Sequence, residues 1–293
     1  MKQSRLFPLA IVTISMILAA LAWWHIKSPD APSLVARDQS VEEGKKTEPS
    51  FVNATKLPPY ARREVGNAFV FVRGSALRPP GDPRAWIDSL KPAAQAGDAE
   101  ASYSIYLALM DCEMYLKASA PEELAESRSI GASPEYEKTV LRKLTECESL
   151  APLQHGEIGH WLSKAASQGS IEALVAYAAS PNAILGPNPD KDSDEFRNWQ
   201  SNVASYLNEA LQKGSIDALS QLSNAYMADY ALPRNPEKAY ATQLALSAIN
   251  PDFSSEAYRN SIAKELTPAQ IARAREEGRK LFQIVTQEKR TTP

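Results

Sequence analysis

The chain has 293 residues, a formal net charge of -3, and 44% hydrophobic and 23% charged residues. That length holds one large or two ordinary domains, and the balance is globular, not fibrous or disordered. No long basic run offers the clustered Lys and Arg that phosphate binding needs, so nucleic acid is not an expected partner.

Leu6 to Trp24 is an uncharged run of 19 residues. As a helix it would reach about 28 Å at roughly 1.5 Å per residue, close to the thickness of a hydrocarbon core. Lys2 and Arg5 precede it and Trp23 and Trp24 close it, which fits a cytoplasmic start and an aromatic belt at the far interface. The run reads as a single-pass anchor in a bacterial inner membrane, with the folded part in the periplasm. The alternative is a signal peptide cleaved near Ala22, since Ala20-Leu21-Ala22 resembles a cleavage site. Residues 1–27 are therefore an anchor or signal. Residues 28–60, rich in proline and charge, read as a flexible linker. Residues 61–293 read as one helical-repeat domain.

Within that domain one phrase occurs three times, at Leu90 to Ala101, Leu162 to Ala173 and Leu207 to Ala218. Aligning Gly97, Gly169 and Gly214 also aligns Ala93, Ala165 and Ala210. An acid follows three residues after each glycine (Glu100, Glu172, Asp217), and an alanine four after. Each copy predicts a helix, a glycine in the left-handed conformation that ends it, and a second helix returning alongside. Ser170 and Ser215 are the expected caps of the second helices, and the acids favour the helix dipole. Gly97 and Gly169 are 72 residues apart, twice 36, which predicts a degenerate unit between the first two copies that includes Pro134 to Leu150. Gly169 and Gly214 are 45 apart, and the excess falls in Pro181 to Asp194, a loop by composition. At the end, Thr267 and Pro268 predict the cap and first residue of a helix that closes the array.

The segment W-L-x-K-A-A-x-x-G-x-x-E-A at Trp161 to Ala173 resembles the Sel1-like repeat family, a relative of the tetratricopeptide repeats. The resemblance extends over roughly Trp86 to Ile249. It implies an all-α, right-handed solenoid of antiparallel helix pairs. It also implies a protein–protein adaptor role, often in bacterial envelopes or signalling, and no catalytic residue set. The first copy departs from the pattern, with Ser89 where the aromatic at the helix start would stand.

Cys112 and Cys147 are the two cysteines, and outside the reducing interior an even pair predicts a disulfide. His155 to His160 looks briefly like a metal motif. The glutamate is misplaced for H-E-x-x-H, and Gly156 and Gly159 argue against a helix there. No metal and no cofactor is expected. Tyr103, Tyr106, Tyr177, Tyr226 and Tyr240 fall mostly at helical spacing and read mostly as core, and Trp199 is the large aromatic expected to contact a partner. The expected function is a non-enzymatic, periplasm-facing scaffold that docks other envelope proteins. The alternative is an envelope hydrolase or cell-wall-binding protein with a carboxylate cleft.

Overall fold

The computed structural model describes residues 57–116, 120–151 and 155–287, all within one compact unit, Thr55–Pro293. The expected membrane segment, its alternative cleavage site and nearly all of the linker lie outside the described residues. Among the described residues no helix is long and apolar enough to cross a membrane.

Two short antiparallel strands, β1 (Ala61–Val65) and β2 (Ala68–Phe71), precede the helices. The expectation of a purely helical domain from residue 61 is thereby corrected. Gly66, at φ 55°, and Asn67 make the tight turn, and the aromatic and β-branched run Ala68–Phe71 suits a strand. Ala61 faces Phe71 across the ladder, with a bulge between Arg63 and Val65.

Downstream, the regular elements among the described residues are helices. The helices are α1 (Pro83–Gln95), α2 (Ala99–Leu116), α3 (Ala120–Ser129), α4 (Pro134–Cys147), α5 (His155–Ser167) and α6 (Ile171–Ala179). Then follow α7 (Pro181–Leu185), α8 (Asp194–Gln212), α9 (Ile216–Ala228), α10 (Pro236–Ile249), α11 (Glu256–Ala263) and α12 (Pro268–Thr286).

The three elbows, α1–α2, α5–α6 and α8–α9, share one set of bonds. Gly97, Gly169 and Gly214 have φ of 103°, 92° and 95°. The next residue donates its N–H back to the aligned alanine carbonyl: Asp98 to Ala93 (3.0 Å), Ser170 to Ala165 (3.1 Å) and Ser215 to Ala210 (3.0 Å). These bonds satisfy carbonyls that a helix end leaves orphaned. The same residues then cap the second helices, with Asp98 accepting from Ala101, Ser170 from Ala173 and Ser215 from Ala218. Beyond the glycine, Ala173 and Ala218 are fully buried and Ala101 nearly so.

The pairs stack in sequence. Helix α2 packs along α5, α6 along α8, α9 along α10, and α10 along α12. The residue before the second and third elbow glycines reaches back to the preceding elbow. Gln168 donates to Ala94 O (2.9 Å) and accepts from Ser102 Oγ (2.5 Å), and Lys213 Nζ donates to Gly169 O (3.4 Å). So the first two copies are direct neighbours, and the degenerate unit expected between them is not a link in the stack. Helices α3 and α4 are an insertion, and α4 packs on α2. The residues before Pro134 carry the helix α3 of this insertion.

The second insertion also carries a helix. The short α7 lies against α5, and a Cβ at Gly159 would meet the Ala183 carbonyl oxygen at 2.0 Å. Gly156 and Gly159 therefore sit inside α5, contrary to the reading that they exclude a helix. Gly159 is there because another backbone passes too close for any side chain. Thr267 caps α12 in a capping box with Gln270, and Pro268 follows as its first residue, as the sequence predicts.

Candidate functional site

The N-terminal segment is bonded across the elbows as a strap. Asn67 N–H donates to Thr286 O at the end of α12 (3.0 Å), and Phe69 N–H donates to Gly214 O (2.9 Å). Phe71 N–H donates to Asp217 Oδ2 (2.9 Å), and Arg73 Nε to Glu172 Oε1 (2.6 Å). The strap thus passes from the third elbow to the second, against the order of the repeats. Two of the three aligned acids serve it directly. In sequence those acids read only as helix-dipole partners.

A single hairpin is marginal in water, so β1 and β2 depend on this docking. Phe69 is 2% exposed and pairs in parallel with Ser215. Gly214 leaves the room: a Cβ there would lie 2.6 Å from Asn67 O, whereas one at Gly97 would meet nothing within 4 Å. Both glycines have positive φ, so alanine at either carries the left-handed penalty of about 1–2 kcal/mol. We expect Gly97→Ala to cost about that much and Gly214→Ala about 2–4 kcal/mol, the difference being overpacking against the strap. Urea midpoints of the two variants measure it, and equal losses would remove the strap contact from the account.

Arg73 is held on both sides. Its guanidinium lies 4.1 Å from the Tyr60 ring centroid and 5.6 Å from that of Tyr103 on α2. Cation–π attraction here adds to the ion pair with Glu172, whose side chain is 13% exposed. The other carboxylate oxygen, Glu172 Oε2, is buried and receives no hydrogen bond among the described residues. Burial raises the Glu172 carboxyl above its ordinary value, and Glu100 and Asp217 push it further the same way. The hydrogen bond and charge of Arg73 oppose them. Burial likewise raises Asp217, against the N–H of Phe71.

The sign of the pH effect follows. A raised carboxyl takes up a proton more readily folded than unfolded. Its contribution to stability is full below the unfolded value and is lost as pH rises through the folded one. Arg73→Ala removes the opposing influences and leaves an unpaired carboxylate. We expect a loss of about 2–3 kcal/mol at pH 7, at or below the low end for broken buried pairs because both groups keep some water. The loss should shrink at pH 5, where Glu172 can take up a proton. Urea midpoints at both pH values test this, and a loss that grew in acid would refute it.

Arg78 fixes the other end of the strap. Its side chain is 0% exposed. Nη1 donates to Pro79 O (3.0 Å) and Gly81 O (2.9 Å), and Nη2 to Glu146 Oε2 on α4 (2.9 Å). Nε lies 2.9 Å from Asp111 Oδ2 on α2 without the alignment of a hydrogen bond, an ion pair by charge alone. Lys143 Nζ also donates to Asp111 Oδ2 (2.5 Å). The Cys112–Cys147 disulfide lies beside this cluster, with Cys147 Sγ 3.7 Å from Arg78 Nη2.

The disulfide forms as the sequence predicts and joins α2 to α4. Asp111, Cys112 and Cys147 are close enough to share a metal ion, but both sulfurs are bonded to each other and Asp111 is neutralised by Arg78 and Lys143. Among the repeat-signature residues, Trp161, Leu162, Ala173, Leu207 and Ala218 are core, and Leu90 packs against it. Trp199 is corrected as an exposed partner contact. It is 1% exposed, packed with Phe196 and Tyr230, and its indole N–H donates to Tyr177 O (3.4 Å). Tyr103, Tyr106 and Tyr177 are buried as expected, while Tyr226 and Tyr240 are half-buried. The strap and Arg78 were missed. The hairpin's one local signal is the turn Gly66-Asn67 between ARREV and AFVF, and Arg78 has none.

No protein-family model matches the sequence, and no curated protein does. Among solved structures, the chain is similar to a protective antigen present in uropathogenic Escherichia coli strains displaying an SLR fold. The two are 17% identical with a TM-score of 0.37, and the match covers 68% of this chain and 41% of that one. A likeness that distant carries no argument about what this chain does.

Proposed function

We propose that the chain is a non-catalytic, Sel1-like helical-repeat scaffold for protein–protein interaction. In this reading a right-handed array of helix pairs faces the periplasm from a bacterial inner membrane. The observation that carries the reading is the direct bonding of elbow to elbow, through Gln168 and Lys213, which fuses the pairs into one rigid surface. A rigid surface recognises partners at low ordering cost. Glu172 and Asp217 are both engaged by the strap, and Asp111 and Glu146 by Arg78, which favours the scaffold over a hydrolase. The disulfide supports an oxidising compartment.

Crosslinking in cells from photoreactive residues at Tyr226 and Tyr240 tests the reading. A discrete, reproducible set of captured proteins is expected, and unspecific capture alone would overturn it. Alkylation during denaturing lysis tests the compartment: Cys112 and Cys147 should stay unmodified, and labelling of both as free thiols would exclude the periplasm.

A further inference from the structure

The strap is held as a bound peptide is held. Two of its contacts with the array are main-chain N–H groups, of Phe69 and Phe71, which any extended chain carries. One is a charged side chain, Arg73, clasped by Glu172 between two tyrosine rings. That is the division of labour in peptide recognition, with backbone bonds for affinity and side-chain pockets for specificity. The receiving carboxylate is only half used, since Arg73 meets Oε1 through Nε while the buried Oε2 has no donor among the described residues. An arginine presented fork-on would bond both oxygens. Directly after Arg73 the chain is free of the array: Gly74, Ser75 and Ala76 are exposed, and a side chain at Gly74 would meet nothing within 4 Å. The next anchors are Leu77, packed against the core, and Arg78.

We propose that the groove across the N-termini of α6 and α9 is a binding site for an extended peptide with an aromatic residue followed four positions later by arginine, as buried Phe69 and Arg73 are spaced, and that the strap is its displaceable resident. This deepens the scaffold reading and rests on it. The ligand class is a basic, aromatic strand-forming segment of another protein. A tethered resident competes at an effective concentration of order mM, so an intact chain binds such a peptide weakly. Weakening the resident frees the groove in proportion.

The test uses the full chain and a fluorescent peptide copying residues 60–73. Arg73→Ala should bind it at least tenfold more tightly than the wild type, because the peptide restores the missing guanidinium. Adding Glu172→Gln should cost at least tenfold, and so should replacing the peptide's Arg73, but not its Arg62 or Arg63, by alanine. Equal binding to wild type and Arg73→Ala would place the peptide elsewhere and overturn the proposal. Should Arg73→Ala fail to fold, a protease site at 74–76, cut after folding, serves instead. The peptide should then exchange for the severed strap, and a strap that never exchanges would overturn the proposal. Either failure leaves capture from Tyr226 and Tyr240 untouched, so the scaffold reading is judged separately.

Discussion

Arg78→Ala should lower the unfolding free energy by about 3–5 kcal/mol, the cost of removing one partner from a buried ionic cluster. Asp111 is 5% exposed, so its carboxylate cannot turn to water, whereas Glu146, at 14%, borders the surface. Lys143 remains for Asp111, while Glu146 keeps the backbone N–H of Gly81 and Arg142, at 3.5 Å on the surface. The carbonyls of Pro79 and Gly81 lose their donor as well. Burial pushes the Glu146 carboxyl up, but the hydrogen bond and charge of Arg78 outweigh it and hold the group below its ordinary value. A lowered carboxyl contributes stability above its unfolded value and loses it as pH falls through the folded one. The gap between wild type and variant should therefore narrow below about pH 4. Urea unfolding at pH 7 and pH 3.5 measures both effects. A loss under about 1 kcal/mol at pH 7 would make the cluster a surface-like pair.

Replacing Cys112 and Cys147 together by alanine should cost about 4 kcal/mol in the chain-entropy account, for a bridge with a sequence separation of 35. Both cysteines are fully buried, so alanine leaves small voids and no orphaned polar group. The damage should also be local. Because α5 packs directly on α2, the insertion can detach while the stack persists. Limited proteolysis should cut the variant within 117–151 well before Ile171–Ala228. Simultaneous loss of both regions would mean that α4 is a true link of the stack.

The elbows were legible because their chemistry is local. A glycine must take positive φ, a serine directly before a helix caps it, and both demands are written within six residues of Gly169 and Gly214. The disulfide was legible from a count. The strap was not, because five- and four-residue strands have little signal of their own and are held by groups 146 and 99 residues away in sequence, Asp217 and Glu172. Neither was the stacking order. Twice 36 equals 72 whether the interval holds a repeat or a foreign helix pair, and only packing decides. Trp199 misled because an aromatic after an acidic stretch looks exposed. On α8 it shares the inward stripe with Phe196, Val203 and Leu207, at helical spacing.

Asn67 joins the beginning of the domain to its last helix, through Thr286 O and also through Gln287 O (3.3 Å). Open-ended repeat arrays melt from their termini, one module after another. Here the final turn of α12 and the hairpin are buckled together, so neither end can fray alone. Amide exchange in that turn should keep time with exchange at Phe69, and whatever lifts the hairpin will be felt first at the opposite end of the chain.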